Sequence, residues 1–164
     1  YYNPVFRYGL AGFVADAQAA GVDGVIIPDL PPEEAQELIQ QAKRKNLSTV
    51  FFAAPTSTTQ RLRTIVKAAT GFIYYVSLTG VTGARSTLPL DEIKKNVRRI
   101  KALTAKPVCV GFGVSTPAQI KDIGSVTDGV IVASAIIKEI EKHKGRDLIP
   151  KVSRYVASLA QALK

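Results

Sequence analysis

The chain has 164 residues, of which 46% are hydrophobic and 21% are charged, and its formal net charge is +9. This length suits one domain or a large part of one, and the apolar content is enough for a buried core, which excludes disorder as the main state. No apolar run reaches the roughly 18 residues of a membrane span and no secretory signal is visible, so we expect a soluble protein. One cysteine and one histidine exclude an internal disulfide and a structural zinc site.

The positive charge is spread along the chain and is not gathered in a nucleic-acid motif. Basic residues cluster at 43–45 and 94–101, and no aromatic residue is interleaved with them. Two interpretations stay open, solvated helix faces and an anionic macromolecular partner, and the pattern favours the first.

Five short runs rich in β-branched residues are predicted to be strands, and a helix is expected before them over about residues 10–20. The runs are nearly continuous in Val, Ile, Phe or Tyr, which is typical of a parallel sheet covered on both faces. They occupy residues 24–28, 48–53, 71–77, 107–113 and 128–134.

The segments between these strands carry helix start signals. Pro31-Pro32-Glu33-Glu34 places prolines and acids in a first turn, Thr56 to Thr59 offers N-cap oxygens, and Thr116-Pro117 opens a further helix. Apolar stripes at helical spacing also occupy 90–103 and 148–163. Strict α/β alternation predicts either an open doubly wound sheet or a (β/α) barrel.

Polar residues and glycines at the strand ends favour the barrel. A (β/α)8 barrel of the TIM type builds its site from the loops at the C-terminal rim. Only five strands are present, so we expect residues 1–164 to form a single partial barrel domain. Its two edges would be unpaired and would need a missing segment, a second copy or a partner to cover them. The chain starts at Tyr1 and contains no methionine, as expected of an internal fragment.

Two rim loops predict a phosphate site. Gly111-Phe112-Gly113-Val114-Ser115 ends one strand and enters a helix, and its glycines let backbone N–H groups approach an anion. Ala133-Ser134-Ala135-Ile136 follows the next strand, where a short helix supplies the other half of a barrel phosphate site. Two ordinary strand-to-helix turns remain the alternative, and the adjacency of the loops favours phosphate.

Further rim residues have two interpretations each. The glycine-rich loop at 80–86 is either a lid over a substrate or an exposed connector. Tyr74 and Tyr75 point to opposite faces of their strand, so an inward Tyr74 with Phe112 would enclose a planar aromatic ligand or pack the core. Asp29 is either a catalytic acid or a capping or loop-organising residue, and the nearby helix start favours the latter.

Common catalytic signatures are absent from the sequence. It has no nucleophile elbow, Walker loop, complete dinucleotide fingerprint or evident acid–base pair. We interpret His143 as a solvated surface residue and Cys109 as a small buried hydrophobe.

The ordered motifs resemble the tryptophan synthase alpha subunit family. These motifs are Tyr1-Tyr2-Asn3-Pro4, Pro28 to Glu34, Tyr74 to Ser77 with Gly80 to Arg85, Gly111 to Ser115, and Ser134 to Ile136. The resemblance covers the whole chain and the C-terminal three fifths of the family's barrel, strands 4 to 8. It implies retro-aldol cleavage of indole-3-glycerol phosphate to indole and glyceraldehyde 3-phosphate in tryptophan biosynthesis, with no metal or organic cofactor in this subunit.

The resemblance assigns the phosphate cradle to this chain. Gly83, Gly113 and Ser134 match positions that hold the phosphate, and Thr82 lies on the closing loop. Ala133 stands where the family usually has glycine. A methyl group there would weaken or rearrange the phosphate site if that position needs a positive φ or a close backbone approach.

The same resemblance implies that this sequence contains residues of the indole pocket but not the residues that transfer protons. Tyr74 and Phe112 match walls of the indole pocket. The family's glutamate and aspartate, which move the protons, belong to its second strand and the loop after it, and neither is in this sequence. We therefore expect these 164 residues alone to be inactive.

A protein partner is also implied. The family's alpha subunit docks onto a beta subunit that carries pyridoxal phosphate, and Asn3, Asp29 and Pro31 match regions near that interface. A plant-type relative works alone as an indole-glycerol-phosphate lyase, so the expected location is the cytoplasm or, in a plant or alga, the plastid stroma. A non-catalytic half barrel that binds phosphate or a partner, and another phosphate-binding barrel enzyme such as an isomerase, are the remaining alternatives.

Overall fold

The strands form one all-parallel sheet in the computed structural model, which describes residues 1–77, 89–111 and 113–163. The strand order is β1-β2-β3-β4-β5, the same as the chain order. A doubly wound sheet reverses its order at a switch point, whereas consecutive parallel strands are the arrangement of a barrel wall. The partial barrel is therefore confirmed. The strands are β1 (Gly24–Ile26), β2 (Ser48–Ala53), β3 (Ile73–Val76), β4 (Val108–Gly111) and β5 (Gly129–Ile131).

Helices precede, connect and follow these strands. They are α1 (Tyr2–Tyr8), α2 (Leu10–Ala19), α3 (Gln36–Arg44), α4 (Thr59–Ala68), α5 (Leu90–Lys101), α6 (Pro117–Gly124), α7 (Ser134–Lys142) and α8 (Leu148–Gln161), with a 3-10 turn at Gly145–Asp147 before α8. None of the helices in the described ranges is long and apolar enough to cross a membrane.

The two faces of the sheet are buried to different extents. Ile73, Tyr75 and Val108 are 0% exposed on the outer face, where the helices pack. Tyr74 and Cys109, which alternate with them and face the inner side, are only half-buried. The prediction that both faces are covered is thus confirmed for the outer face only. The interpretation of Cys109 as a buried hydrophobe is wrong for the same reason.

Two threonine caps start helices where the sequence predicts them. The Thr58 hydroxyl accepts a hydrogen bond from the Arg61 amide at the start of α4. Thr116 and Gln119 form a reciprocal capping box at the start of α6, with Pro117 in the first turn. Such caps satisfy amide groups that have no partner inside the helix.

The start of α3 is later than the sequence predicts. The segment 31–34 is a turn, in which the Glu34 amide donates to the Pro31 carbonyl at 3.0 Å, and the helix begins at Gln36. Pro32 occupies the second position of this turn, for which the fixed φ of proline is well suited.

The helix α1 is not predicted by the apolar pattern. Pro4 lies in its first turn, where a missing N–H costs no hydrogen bond. Gly9, at φ +90°, ends α1 and separates it from α2. This backbone conformation favours glycine, so Gly9 was the available signal of a boundary.

Large apolar side chains are exposed near both borders of the sheet. Ile26 on the border strand β1 is 41% exposed, and Ile137 and Ile140 on α7, which follows β5, are 54% and 44% exposed. Within the described residues, β1 pairs only with β2 and β5 only with β4. The expected unpaired edges are therefore present in the described sheet.

Candidate functional site

The C-terminal ends of the parallel strands meet at one rim. The structure describes seven of the ten predicted site residues, whereas Thr82, Gly83 and Phe112 lie outside the described residues. Those described are Asn3, Asp29, Pro31, Tyr74, Gly113, Ala133 and Ser134.

The loop after β4 contains a glycine in the left-handed conformation. Gly113 is exposed and has φ +79°, a left-handed conformation that a side chain would strain. The next residue, Val114, is 3% exposed and anchors the loop in the core. Glycine therefore leaves the loop backbone at position 113 open to a ligand.

The loop after β5 leads directly into α7. Ser134 is the first residue of this helix, and no acidic residue lies in its first turn. The amides of a first helical turn have no partner inside the helix and carry partial positive charge. Ala133 has φ −127°, so the position does not need the positive φ that would favour glycine.

These two features are side by side because their strands are neighbours. Gly111 of β4 pairs with Ile131 of β5, and Gly113 and Ser134 follow this pair by two and three residues. The two loops therefore leave the sheet side by side at the same part of the rim.

An aromatic pair lies on the inner face below the rim. The rings of Phe52 and Tyr74, on adjacent positions of β2 and β3, are 4.9 Å apart between centroids and inclined by 47°. Burial raises the pKa of Tyr74, so its hydroxyl is a donor at neutral pH. Sequence reasoning missed Phe52, because either of the two phenylalanines of β2 could face inwards until the pairing register is known.

The Tyr74 ring lies over Gly111 of the next strand. A Cβ atom at Gly111 would be 2.8 Å from Tyr74 Cζ and 2.9 Å from Cε1, closer than carbon atoms approach. Tyr75 points the opposite way, where burial raises its pKa to about 12. The position of Tyr74 thus depends on the absence of a side chain at Gly111.

Asp29 has a structural partner. Its Oδ1 atom accepts a hydrogen bond from the Tyr2 amide at 2.7 Å, and Tyr2 is the first residue of α1. The carboxylate therefore caps α1 from another loop, and it does not cap α3, which begins at Gln36. This bond joins Asn3, on the first turn of α1, to the loop that contains Asp29 and Pro31.

A shallow pocket of about 180 Å³ opens beside Asp29. Arg61 lines it and forms an ion pair with Glu33. The pocket is lined by Pro28, Asp29, Leu30, Pro31, Pro32, Phe51, Phe52 and Arg61.

His143 is not a solvated surface residue. Its Nε2 atom is 2.9 Å from Glu139 Oε1, and its side chain is only 18% exposed. Hydrogen bonds from His143 and Lys142 hold the pKa of Glu139 below its ordinary value. In the part of the chain that the structure describes, no group of three His, Cys, Asp or Glu side chains is placed to hold a metal ion.

Consecutive parallel strands, helices on the outer face and two adjoining loops at the C-terminal rim define part of a (β/α)8-barrel protein. Residues 1–164 match the family model described as tryptophan synthase alpha chain. The chain belongs to this family, and the isomerase alternative is wrong.

Relatives of known sequence and structure agree with this assignment. The tryptophan synthase alpha chain of Geotalea daltonii is 48% identical over 159 residues, which are 97% of this chain and 60% of the relative. That of Aquifex aeolicus is 50% identical over 148 residues, 90% of this chain and 56% of the relative. The chain thus spans about 60% of the length of the curated relatives it matches.

Solved structures give the same result. A Mycobacterium tuberculosis tryptophan synthase structure superposes with a TM-score of 0.88 at 40% identity, covering 99% of this chain and 60% of that one. A structure of the tryptophan synthase α2β2 complex from Pyrococcus furiosus gives 0.86 at 40% identity, covering 98% and 64%.

Proposed function

We propose that this chain forms the substrate-binding rim of a tryptophan synthase alpha chain, a lyase that cleaves indole-3-glycerol phosphate to indole and glyceraldehyde 3-phosphate in tryptophan biosynthesis. The main support is the juxtaposition of the Gly113 turn and the α7 N-terminus on neighbouring strands. In this proposal they bind the phosphate of the substrate through backbone amides and the Ser134 hydroxyl.

The indole ring is proposed to bind the inner face of the sheet. The half-buried rings of Phe52 and Tyr74 offer an apolar wall with a hydroxyl at one end. Phe112 is proposed to form a second wall, and the loop with Thr82 and Gly83 to close over the bound substrate. Ala133, beside Ser134, is proposed to contribute backbone to the phosphate end.

The reaction needs two proton transfers and no metal or organic cofactor in this chain. Protonation of indole C3 and removal of a proton from a glycerol hydroxyl together break the carbon–carbon bond. Asp29 is occupied as the cap of α1, so it is a poor candidate for either step. We therefore propose that residues 1–164 bind substrate and do not turn it over by themselves.

A beta-subunit partner is proposed for the surface near α1. The α2β2 assembly named for the Pyrococcus furiosus structure supports a partner of this kind. Asn3, Asp29 and Pro31 would take part in the contact, and pyridoxal phosphate would reside in the partner. We propose the cytoplasm as the site of this activity.

Self-association is proposed for the chain in isolation. Exposed apolar side chains at both borders, with Ile26 on one and Ile137 on the other, would be buried by pairing between copies. Sedimentation velocity at increasing concentration should reveal a dimer or larger species, and a monomer at all concentrations would contradict it.

The binding part of the proposal is tested by titrating the chain with glycerol 3-phosphate and following backbone amides by NMR. We expect shifts centred on Gly113 and Ser134, and about 3- to 10-fold weaker binding in Ser134→Ala, since one hydrogen bond is lost. Ser153→Ala, which changes an exposed serine on α8, is the matched control. Binding that is equal in all three proteins would contradict the phosphate site.

The catalytic part is tested by an indole-release assay with indole-3-glycerol phosphate. We expect no turnover by the 164-residue chain alone. Turnover at the rate of a full-length relative would show that an acid and a base lie within these residues.

A further inference from the structure

We propose that Tyr155 is a positioning residue for the phosphate-binding loop, because it holds the Ser115 carbonyl and thereby fixes the Gly113 turn. This inference rests on the proposed function and adds a residue, on the last helix, that no rim motif contains.

The contact joins two distant parts of the chain. Tyr155 lies on α8, and its hydroxyl donates a hydrogen bond to the Ser115 carbonyl at 2.7 Å, across 40 residues of sequence. The ring of Tyr155 is partly buried against the core. Packing of the ring therefore holds the hydroxyl in place for this hydrogen bond.

The other side of Ser115 is held as well. Its amide donates to Gln119 Oε1 at 2.9 Å, and the Thr116 amide donates to the same oxygen at 3.2 Å. Val114, the residue before Ser115, is buried in the core. The amide and the carbonyl of Ser115 are thus fixed from α6 and α8 respectively, so the peptide planes on both sides of this residue have little freedom to rotate.

The restraint extends towards the ligand end of the loop. Gly113 is two residues before Ser115, and glycine has a wide choice of backbone conformations when free. A turn that is ordered before binding does not lose that freedom when the ligand arrives, which raises affinity. The hydroxyl of Tyr155 therefore acts on phosphate without touching it.

The helix α8 also packs against α7, whose first turn forms the other half of the proposed site. Burial and then the charge of Glu139 on α7 raise the pKa of Tyr155. The hydroxyl is protonated at neutral pH and remains a donor. The helix α8 thus contacts the loop after β4 through Tyr155 and also packs against α7.

The test compares Tyr155→Phe with Tyr8→Phe in the full 164-residue chain. Tyr8 also donates its hydroxyl to an acceptor, Asp16, at 2.6 Å, but it lies on α1. The probes are inorganic phosphate, glycerol 3-phosphate and indole, titrated by NMR. Hydrogen exchange of the loop amides and the melting temperature are measured without ligand.

We expect Tyr155→Phe to bind both phosphate probes about 3- to 10-fold more weakly, as the loss of one hydrogen bond predicts. Its affinity for indole should not change, and the amides of Gly113 and Ser115 should exchange faster. Tyr8→Phe should keep wild-type affinity for all three probes. A general loss of stability would not separate phosphate from indole in this way.

Two results overturn the inference and are distinguishable. If the wild-type chain binds the phosphate probes and Tyr155→Phe binds them equally well, the positioning role is wrong and the proposed function stands. If the wild-type chain binds neither phosphate probe, the proposed phosphate site is wrong and the role of Tyr155 in it is wrong with it.

Discussion

The outer and inner faces of the five-stranded sheet differ in how deeply their side chains are buried. On the outer face, Ile73 and Val108 pair across β3 and β4 and are fully buried under helices. On the inner face, Tyr74 and Cys109 pair across the same two strands and are only half-buried. They lie next to Gly111, the last residue of β4. We therefore expect the outer face to contribute most of the stability and the inner face to contact a ligand.

The comparison predicts that the two faces respond differently to mutation. Changes on the outer face, or at the N-terminal edge of the sheet, should lower stability and leave ligand affinity unchanged. Changes on the inner face should alter indole affinity, whether or not they also lower stability. Three substitutions test this division, beginning with the largest expected effect.

Ile73→Ala should lower the free energy of unfolding by about 3 kcal/mol, because it removes buried methyl groups and leaves a cavity. Urea denaturation followed by circular dichroism measures this loss. Cys109→Ala, on the inner face of the adjacent strand, is the matched control and should cost less than about 1 kcal/mol. Equal losses for the two would mean that the faces do not differ in their contribution.

Gly111→Ala should lower stability by about 2 kcal/mol, because the new methyl group overlaps the Tyr74 ring. It should also weaken indole binding, since the ring must move. Gly12→Ala is the matched control, because nothing lies closer than 3.7 Å to its Cβ position in α2. There alanine should stabilise the helix by about 0.5–1 kcal/mol.

A double-mutant cycle gives the decisive measurement for Gly111. If the ring is the obstacle, Tyr74→Ala should abolish most of the stability loss caused by Gly111→Ala. Additive losses in the double mutant would mean that the Tyr74 ring does not cause the stability loss of Gly111→Ala.

Asp128→Asn should lower stability by about 1 kcal/mol at pH 7, without changing ligand affinity. This carboxylate precedes β5, where it binds Lys101 Nζ at 2.6 Å and the Val108 amide at 2.8 Å. Partial burial opposes its ionisation, but these bonds outweigh burial and hold its pKa below the ordinary 3.8.

The sign of the pH dependence follows from that lowered pKa. The stabilisation by Asp128 is complete above pH 3.8 and is lost as the pH falls through the lower, folded-state value. Urea midpoints of wild type and Asp128→Asn should therefore converge in strongly acidic solution. Asp122→Asn, which changes an exposed aspartate on α6, serves as control, and a gap that persists in acid would contradict the role of ionised Asp128.

Several parts of the fold were predictable because each depends on local chemistry. The strand β2 occupies the predicted residues, and the Thr116 cap begins α6 as expected. The rim position of Ser134 was also predictable, because it depends only on chain order in an alternating β/α pattern. The sequence predicts that Tyr74 and Tyr75 point to opposite faces, but only the structure shows that Tyr74 is the one on the inner face.

Other features depend on contacts between distant segments and could not be predicted. The partnership of Asp29 with the Tyr2 amide requires the position of α1, which the apolar pattern did not predict. Tyr155 resembles any other apolar-stripe residue of α8 until its hydroxyl is located beside Ser115. Periodicity reports which side of a helix is buried, but not which carbonyl lies opposite it.

The identity of strand order and chain order has a consequence for biosynthesis. When each strand from β2 to β5 leaves the ribosome, the strand it pairs with has already been made, so no segment has to wait for a distant one. Folding can therefore advance with translation, one β/α unit at a time. During that advance the most recently added strand displays an open row of hydrogen-bonding groups, and the next unit of the same nascent polypeptide is the segment placed to cover it.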